Sequence, residues 1–138
     1  MSTPDKLSLV VFSGQYERVH YALVMAAASI ATNRPTTVFF TMGAAKALLV
    51  DGWKALPTVD GLGDAEATDQ IFQSRGVVGI EELFESCVAL DVKFLICEMG
   101  LKALGLNAAD LRPDIPVEIS GVVTFLADAS ATGAMLFL

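Results

Sequence analysis

The sequence predicts a single α/β domain built on a parallel sheet with helices on both of its faces. Three observations support this prediction. Five short apolar runs alternate with stretches of helical periodicity. The connections between the apolar runs are long enough to be crossovers, which parallel strands require. The chain has 138 residues, a length that fits one domain.

Each apolar run is typical of a strand because it is short, rich in β-branched or aromatic residues, and bounded by turn-forming residues. The first run leads into Ser13-Gly14, and the fourth leads into Ser120-Gly121. The third is followed directly by Cys97. The predicted strands cover residues 7–12, 36–41, 92–96, 117–119 and 134–138.

The predicted helices lie between these strands. The first ends before Pro35, a residue that cannot continue a helix, and Gly105 and Asn107 supply a cap and the start of a short turn. The predicted helices cover residues 15–33, 44–50, 79–90, 98–104 and 122–131. Between them, residues 51–76 lose regular periodicity and hold four glycines, so we expect an irregular, mobile segment there.

Composition excludes several functional classes. The net charge is −7 and the nine basic residues form no patch, which argues against nucleic-acid binding. The apolar fraction is 54%, but no apolar run reaches the 18 or so residues of a membrane span. The first seven residues do not resemble a secretory signal. We therefore expect a cytoplasmic protein that does not insert into a membrane.

Cysteine and histidine are scarce. Cys87 and Cys97 are too few for a disulfide framework, and one histidine makes a structural zinc site hard to assemble. The sequence therefore predicts reduced thiols and no structural zinc site.

The carboxyl edge of the predicted sheet is the expected place for a ligand, since open parallel sheets bind ligands there. Small residues follow four of the five strands at this edge, and glycine lets backbone N–H groups approach an anion. The alternative, that these glycines only make tight turns, stays open. The candidate binding residues are Ser13, Gly14, Gly43, Glu98, Met99, Gly100, Ser120 and Gly121.

Cys97 is the distinctive residue of this edge. It leaves a buried strand directly into a helix, and free N–H groups at a helix start stabilise a thiolate. We therefore take Cys97 as the candidate catalytic residue, although a buried packing role stays open. Cys87 lies on the expected core stripe of its helix. His20, about one helical turn past the first strand, is a candidate accessory acid or base.

Several segments resemble the DsrE/DsrF-like family, especially its DsrE2-like branch. The resemblance covers nearly the whole chain, and its most specific part is Val92-Lys-Phe-Leu-Ile-Cys-Glu-Met-Gly100. Other matching segments are Val10-Val-Phe-Ser-Gly14, Thr37-Val-Phe-Phe-Thr41 and Val117-Glu-Ile-Ser-Gly-Val-Val-Thr-Phe-Leu126. This chain departs from the branch in having Gly100 where serine is common and a shorter segment over 51–76.

The resemblance implies a five-stranded α/β/α sandwich and a role in sulfur trafficking. Proteins of this family accept sulfane sulfur on a cysteine, which Cys97 matches, and pass it to partner carrier proteins. The resemblance also implies a homo- or hetero-oligomer, commonly a trimer to hexamer, and we expect a homo-oligomer. Sulfur transfer of this kind needs neither a metal nor an organic cofactor. Two alternatives stay open: a non-catalytic subunit of a sulfur-relay complex, and a small module that binds an anion or a nucleotide.

The first predicted helix gives an independent reason to expect an oligomer. From Tyr21 to Ala31 every residue except Ser29 is apolar, whereas a helix on one face of a sheet needs a single apolar stripe. With Leu23 and Ala26 toward the sheet, we expect Tyr21 and Met25 to face a neighbouring subunit.

Overall fold

In the computed structural model, which describes residues 3–59 and 62–138, five parallel strands form one sheet. The strands are β1 (Leu7–Val11), β2 (Thr36–Phe40), β3 (Lys93–Cys97), β4 (Val117–Ser120) and β5 (Ala134–Phe137). They lie in the order β4-β3-β2-β1-β5, and each neighbouring pair is parallel. The predicted fold, an α/β sandwich with a five-stranded parallel sheet, is confirmed.

Helices fill the connections between the strands. They are α1 (Tyr16–Ala31), α2 (Ala65–Ser74), α3 (Ile80–Ala89), α4 (Glu98–Ala103) and α5 (Val122–Asp128), with 3₁₀ helices over Met42–Leu48, Gly52–Ala55 and Ala108–Asp110. No helix within residues 3–59 and 62–138 combines the length and the apolar character that a membrane span requires.

The strand order distributes the helices unequally over the two faces of the sheet. Strands β1 to β4 follow one another across the sheet in one direction, so right-handed crossovers put α1, α3 and α4 on the same face. The last connection runs back to the opposite edge and places α5 on the other face. We call these the helix-rich face and the α5 face.

The main core lies on the helix-rich face. Leu9, Val38 and Ile96 point to this face from three neighbouring strands and are fully buried. Val19 and Leu23 of α1 pack on them, and α3 packs alongside α1. Strands buried on both faces read as continuous apolar runs, which explains the high apolar content of the chain.

The α5 face has a smaller core. Phe39 of β2 and Leu95 of β3 are buried there together with Phe125 of α5 and Cys97. The Phe125 ring stacks on the Phe39 ring, with centroids 4.9 Å apart and planes 18° apart. One seven-residue helix cannot cover a five-stranded face, so much of this face is left open.

Helix α5 is shorter than predicted: it ends at Asp128, whereas the sequence indicated a helix over 122–131. The Asp128 carboxylate is held by Lys6, Thr37 and Lys93, which fixes the chain at that point. Beyond it, the Ser130 hydroxyl accepts a hydrogen bond from the Thr132 N–H and so forms a turn in place of the last helical turn.

The prediction of an irregular segment over 51–76 is wrong for residues 65–74, which form α2. Asp64 caps this helix by accepting from the Ala67 N–H at 2.8 Å. The side chains that α2 buries include Thr68 and Asp69, and its apolar contacts with the main core are made by Ala65 and Phe72, so few apolar residues mark its buried side. Asp69 accepts hydrogen bonds from the Tyr16 hydroxyl and from the Ile80 N–H, which bind α2 to the core.

The mobility predicted for this segment stays a prediction, and these buried hydrogen bonds argue against it for α2. Two residues of the segment, 60 and 61, lie outside the described residues.

The far side of α1 is less open than the sequence suggested. Leu23 and Ala26 are buried as expected, and Tyr21 is exposed. Val24 and Met25, however, are partly buried against the main core. Because α3 packs alongside α1, the apolar surface that α1 leaves to water is smaller than its composition implied.

Candidate functional site

Cys97 lies at the carboxyl end of β3, where the strand turns into α4. It is both the last residue of β3 and the N-cap of α4, with extended backbone angles of φ −73° and ψ 121°. Its side chain is buried, with 1% of the residue exposed, among Phe39, Leu95 and Phe125 on the α5 face.

The sulfur of Cys97 takes the place of the oxygen that usually caps a helix. Sγ accepts a hydrogen bond from the Gly100 N–H at 3.4 Å, which is one of the otherwise unpaired donors of the first helical turn. An N–H group aimed at sulfur favours negative charge on it more than a neutral thiol. The capping geometry therefore suits a thiolate or a persulfide anion.

Cys97 lies beside the edge strand β4 at the carboxyl edge of the sheet. The chain leaves β3 toward the helix-rich face and leaves β4 toward the α5 face. Cys97 and Ser120 are register partners at these ends. Neighbouring strands lie about 4.8 Å apart, and register partners point to the same face, so the two side chains are neighbours.

The Ser120 hydroxyl is unusual because it is buried without a partner. The residue is 8% exposed, and no group in the described part of the chain lies within hydrogen-bond reach of its Oγ. Leaving a buried hydroxyl unpaired costs about 1–3 kcal/mol. A hydroxyl in this state beside Cys97 is a donor that a bound anion can use.

An open apolar cavity of about 430 Å³ lies on the α5 face, and two of its lining residues, Phe39 and Phe125, pack on Cys97. Phe39 and Phe125 separate the cavity from the cysteine, and Met42 and Met99 line it at the carboxyl edge. Thioether sulfurs are polarisable and suit soft atoms such as sulfur.

Met42 adopts a backbone conformation that is uncommon for a residue with a side chain. Its φ is +48°, in the left-handed region. Gly100 of α4 packs directly on this turn, since a Cβ added at Gly100 would come within 2.7 Å of the Met42 nitrogen. The turn after β2 and the first turn of α4 therefore form one tightly packed unit that fixes the position of Cys97.

Gly14 and Gly43 pack against each other. A Cβ at Gly14 would lie 2.8 Å from the carbonyl oxygen of Gly43, and one at Gly43 would lie 3.1 Å from the Gly14 nitrogen. The loops after β1 and β2 can touch only because both residues lack a side chain. This close contact favours glycine at both positions, and the binding role predicted for them stays a prediction.

The other predicted binding residues differ in their contacts and exposure. Ser13 uses its hydroxyl to accept from the Gln15 N–H, and Glu98 pairs with Lys102 on the surface of α4. Met99 is 62% exposed in the first turn of α4. Gly121 is the N-cap of α5, and a Cβ there would meet nothing within 4 Å.

His20 lies away from this site. It is buried on α1, on the helix-rich face, and its Nε2–H donates to the carbonyl oxygen of Val78 at 2.8 Å. The ring also packs edge-on against Phe72. These contacts fit a residue that fixes the segment before α3, and the accessory role predicted for His20 at Cys97 lacks the required proximity.

Cys87 is a core residue, as its position on α3 indicated. It is fully buried, and its thiol donates to the carbonyl oxygen of Leu23 at 3.8 Å. Burial raises the pKa of the Cys87 thiol to about 12, so it stays protonated at neutral pH.

Sequence reasoning missed the apolar wall of the site. Phe39 and Phe125 were visible as strand and helix residues, but their contact with Cys97 depends on α5 crossing the sheet to the opposite face. The only available signal was strand alternation, which puts Phe39 on the same face as Thr37 and Thr41. No sequence pattern indicated the left-handed backbone conformation of Met42.

The fold and the site together define a small parallel α/β protein with a cysteine at the carboxyl edge of its sheet. The sequence model of the DsrE/DsrF/DrsH-like family matches residues 54–137, which is more than half of the chain. The chain belongs to this family, and the resemblance found in the sequence is confirmed.

Two curated proteins are similar over almost their full length. The uncharacterized protein YrkE of Bacillus subtilis is 25% identical, and the match covers 96% of each chain. The sulfur carrier protein DsrE2 of Allochromatium vinosum is 24% identical, and the match covers 96% of this chain and 98% of that protein.

Solved structures share the fold at lower identity. A protein of unknown function from Methanobacterium thermoautotrophicum, MTH1491, superposes with a TM-score of 0.59 at 15% identity, covering 96% of this chain and 98% of that one. The ychN protein of E. coli gives a TM-score of 0.57 at 16% identity, covering 96% and 97%.

Proposed function

We propose that this protein is a sulfur carrier that accepts sulfane sulfur on Cys97 and passes it to a partner thiol. The observation that supports the proposal most is the hydrogen bond from the Gly100 N–H to the Cys97 sulfur at the start of α4. The name of the relative from Allochromatium vinosum, a sulfur carrier protein, supports it independently.

The reaction is a transfer of one sulfur atom between thiols. The Cys97 thiolate attacks the outer sulfur of a donor persulfide, R–S–SH, and the donor S–S bond breaks as the new one forms. The donor leaves as the thiol R–SH, and Cys97 becomes a persulfide. A second thiolate then attacks the outer sulfur and restores the Cys97 thiol. No net oxidation occurs, so no redox cofactor is required.

The residues around Cys97 have distinct parts in this proposal. The Gly100 N–H stabilises negative charge on the sulfur, and the unpartnered Ser120 hydroxyl donates to the persulfide anion. Phe39, Leu95 and Phe125 bury the Cys97 sulfur and exclude water from it, which protects a persulfide from side reactions.

Burial of Cys97 sets a requirement on the transfer step. With 1% of the residue exposed, a protein thiolate cannot reach the sulfur in the described conformation. We therefore propose that the first turn of α4, which holds the exposed Met99, moves during transfer together with the turn after β2 that packs on Gly100. This helix is only six residues long, from Glu98 to Ala103, so its displacement breaks few hydrogen bonds.

The proposed partners are a sulfur donor and an acceptor carrier protein in the cytoplasm, where the two cysteines stay reduced. We also propose that the protein works as a homo-oligomer, from trimer to hexamer. The burial of Cys97 favours one alternative, in which the chain is a non-catalytic subunit of a sulfur-relay complex and the cysteine is structural.

Mass spectrometry of the persulfide-treated protein tests the proposal. The folded protein is treated with a small organic persulfide, freed of donor and digested without reductant. We expect the peptide with Cys97 to gain the mass of one sulfur atom. Cys97→Ser abolishes this gain, whereas Cys87→Ser, the matched control, keeps it. An unmodified Cys97 in the folded wild-type protein supports the structural-subunit alternative and contradicts the carrier.

A further inference from the structure

The side chains that enclose the Cys97 sulfur carry no charge. Phe39, Leu95 and Phe125 bury the sulfur. The open cavity that shares Phe39 and Phe125 with this site is lined, among the described residues, by neither a basic nor an acidic side chain. A charged group that reaches Cys97 from the α5 face therefore meets an apolar wall and no opposite charge in the part of the chain that the structure describes.

Helix α4 supplies no free cation to the sulfur either. Its single basic residue, Lys102, pairs with the Glu98 carboxylate at 3.1 Å, on the exposed surface of the helix. Glu98 follows Cys97 directly in the chain. The charge nearest to Cys97 along α4 is thus negative, which disfavours a second anion there.

The hydrogen-bond donors of the site are neutral. The Gly100 N–H reaches the Cys97 sulfur at 3.4 Å. The Ser120 hydroxyl is buried, has no partner among the described groups, and lies on the strand next to Cys97. Thr41 adds a third neutral group, a hydroxyl-bearing side chain in the cavity lining. These groups can hold one negatively charged sulfur, whereas they leave a second charge without compensation.

The position of the Ser120 hydroxyl fits one additional sulfur atom. Its Oγ is not within hydrogen-bond reach of the Cys97 sulfur in the unloaded protein. A persulfide places a second sulfur about 2 Å beyond the first. A buried polar group without a partner calls for an explanation, and the outer sulfur of a persulfide on Cys97 would supply that partner. The site therefore matches a group that is one sulfur atom larger than the thiol.

Sulfur donors differ in the charge that they bring to such a site. An organic persulfide, R–S–SH, is neutral when its outer sulfur is protonated. Thiosulfate is a dianion at neutral pH, and its sulfonate group holds three oxygen acceptors. Moving an uncompensated charge out of water is far more costly than moving a neutral group, and proteins usually meet oxyanions with arginine or with several N–H groups.

We infer that the Cys97 site selects its donor by charge, so that it takes sulfur from persulfides and excludes thiosulfate and other sulfonates. The inference rests on the proposed function, since it assumes that Cys97 accepts sulfane sulfur. With a persulfide, the Cys97 thiolate bonds to the outer sulfur, the donor S–S bond breaks, and R–S⁻ leaves to take up a proton from water. With thiosulfate the same exchange would release sulfite, and three negative charges would have to share the uncharged site.

Loading rates from two donors test the inference. The folded protein is treated separately with a small alkyl persulfide and with thiosulfate, and the sulfur gained by the Cys97 peptide is followed by mass spectrometry. The same two rates for N-acetylcysteine, a thiol free in water, correct for the intrinsic reactivity of the donors. We expect the corrected rates to favour the persulfide by at least about 100-fold, since sites that leave a buried polar group unpaired discriminate strongly.

Met99→Arg tests whether charge is the cause. Met99 lines the cavity in the first turn of α4 and is 62% exposed, so an arginine there adds a cation beside the site and leaves the core intact. We expect thiosulfate to load this variant at least about tenfold faster than the wild type, because arginine binds oxyanions well. Tyr21→Arg is the matched control: it adds the same charge on the exposed side of α1 and is expected to leave both rates unchanged.

A corrected preference near one overturns the inference, and so does a Met99→Arg variant that takes thiosulfate no faster than the wild type. An equal gain in Tyr21→Arg shows that net charge, and not the local site, sets the rate, and it overturns the inference as well. In each of these results persulfide loading persists, so the carrier proposal stands. Loading from neither donor refutes the carrier proposal, and the donor selection falls with it.

Discussion

Cys97 and Ser120 stand side by side at the carboxyl ends of β3 and β4, paired in the register of the sheet. The Cys97 sulfur accepts a hydrogen bond from the Gly100 N–H at the start of α4. The Ser120 hydroxyl is buried without a partner among the described residues. The chain leaves these two strands toward opposite faces of the sheet. A capped cysteine sulfur and an unpaired hydroxyl therefore lie on neighbouring strands at the carboxyl edge of the sheet.

The two cysteines are expected to differ in reactivity. Cys97 should alkylate faster than Cys87 because its sulfur faces an N–H donor beside a cavity. The Cys87 thiol, in contrast, lies in the main core, where burial raises its pKa to about 12. Competitive iodoacetamide labelling of the folded protein, resolved by peptide, measures both rates. Equal rates, or a faster Cys87, would remove the basis for choosing Cys97.

Replacement of Ser120 by alanine should separate stability from function. Because the hydroxyl has no partner among the described groups, Ser120→Ala should keep the free energy of unfolding or raise it by up to about 1 kcal/mol. The same change should slow the loading of Cys97. Denaturant unfolding and the rate of persulfide uptake give the two readouts.

Thr37→Val is the control for this experiment. The Thr37 hydroxyl donates to Asp128 at 2.6 Å, so its removal should lower stability by about 1–3 kcal/mol and leave loading unchanged. If Ser120→Ala loads sulfur at the wild-type rate, Ser120 has no part in the site.

A methyl group at Gly14 should destabilise the carboxyl edge of the sheet. Its Cβ would lie 2.8 Å from the Gly43 carbonyl oxygen, which is backbone and cannot rotate away. Overpacking of this kind costs about 1–3 kcal/mol. Gly121→Ala is the matched control: its Cβ has open space, so we expect a loss below about 1 kcal/mol from the weaker N-cap alone. Similar losses in thermal or denaturant unfolding of the two variants would show that the loops are not in contact.

The ionised Asp128 side chain should stabilise the fold in a pH-dependent way. Burial alone would raise its pKa, but hydrogen bonds from Lys6, Thr37 and Lys93 outweigh that effect and hold the pKa at about 2. A carboxyl with a lowered pKa stabilises the folded state at neutral pH, and this contribution disappears as the pH falls from about 4 to about 2.

Asp128→Asn should therefore cost about 1–3 kcal/mol at pH 7. The difference between wild type and variant should shrink below pH 4, measured by denaturant unfolding across this range. A difference that stays constant down to pH 2 would mean that the carboxylate charge contributes nothing.

Much of the fold was predictable because its strands are apolar runs bounded by glycine and proline. Cys97 was recognisable because it directly follows such a run. Helix α2 was not, since it buries Thr68 and Asp69 through hydrogen bonds to Tyr16 and Ile80 that sequence spacing does not reveal. Hydrophobic periodicity detects helices that pack by apolar contact and misses those held by polar ones.

The sequence predicted where in the fold the candidate site lies, but it did not predict all of the contacts that its residues make. Strand ends located Cys97 and Ser120 on one edge, but they could not show that Gly14 and Gly43 exist to pack on each other. The sequence also placed the exposed apolar surface on α1. It lies on the α5 face because the return crossover, and hence the strand order, depends on contacts between residues far apart in the chain.

Onward transfer of labelled sulfur tests the central claim most directly. The protein is loaded with a persulfide whose outer sulfur is isotopically heavy, freed of donor, and mixed with an excess of a small acceptor thiol. If Cys97 is a carrier, the heavy sulfur leaves the Cys97 peptide and appears on the acceptor in equal amount, and Cys97→Ser transfers none. Heavy sulfur that never enters Cys97, or that enters and cannot be passed on, would contradict the account.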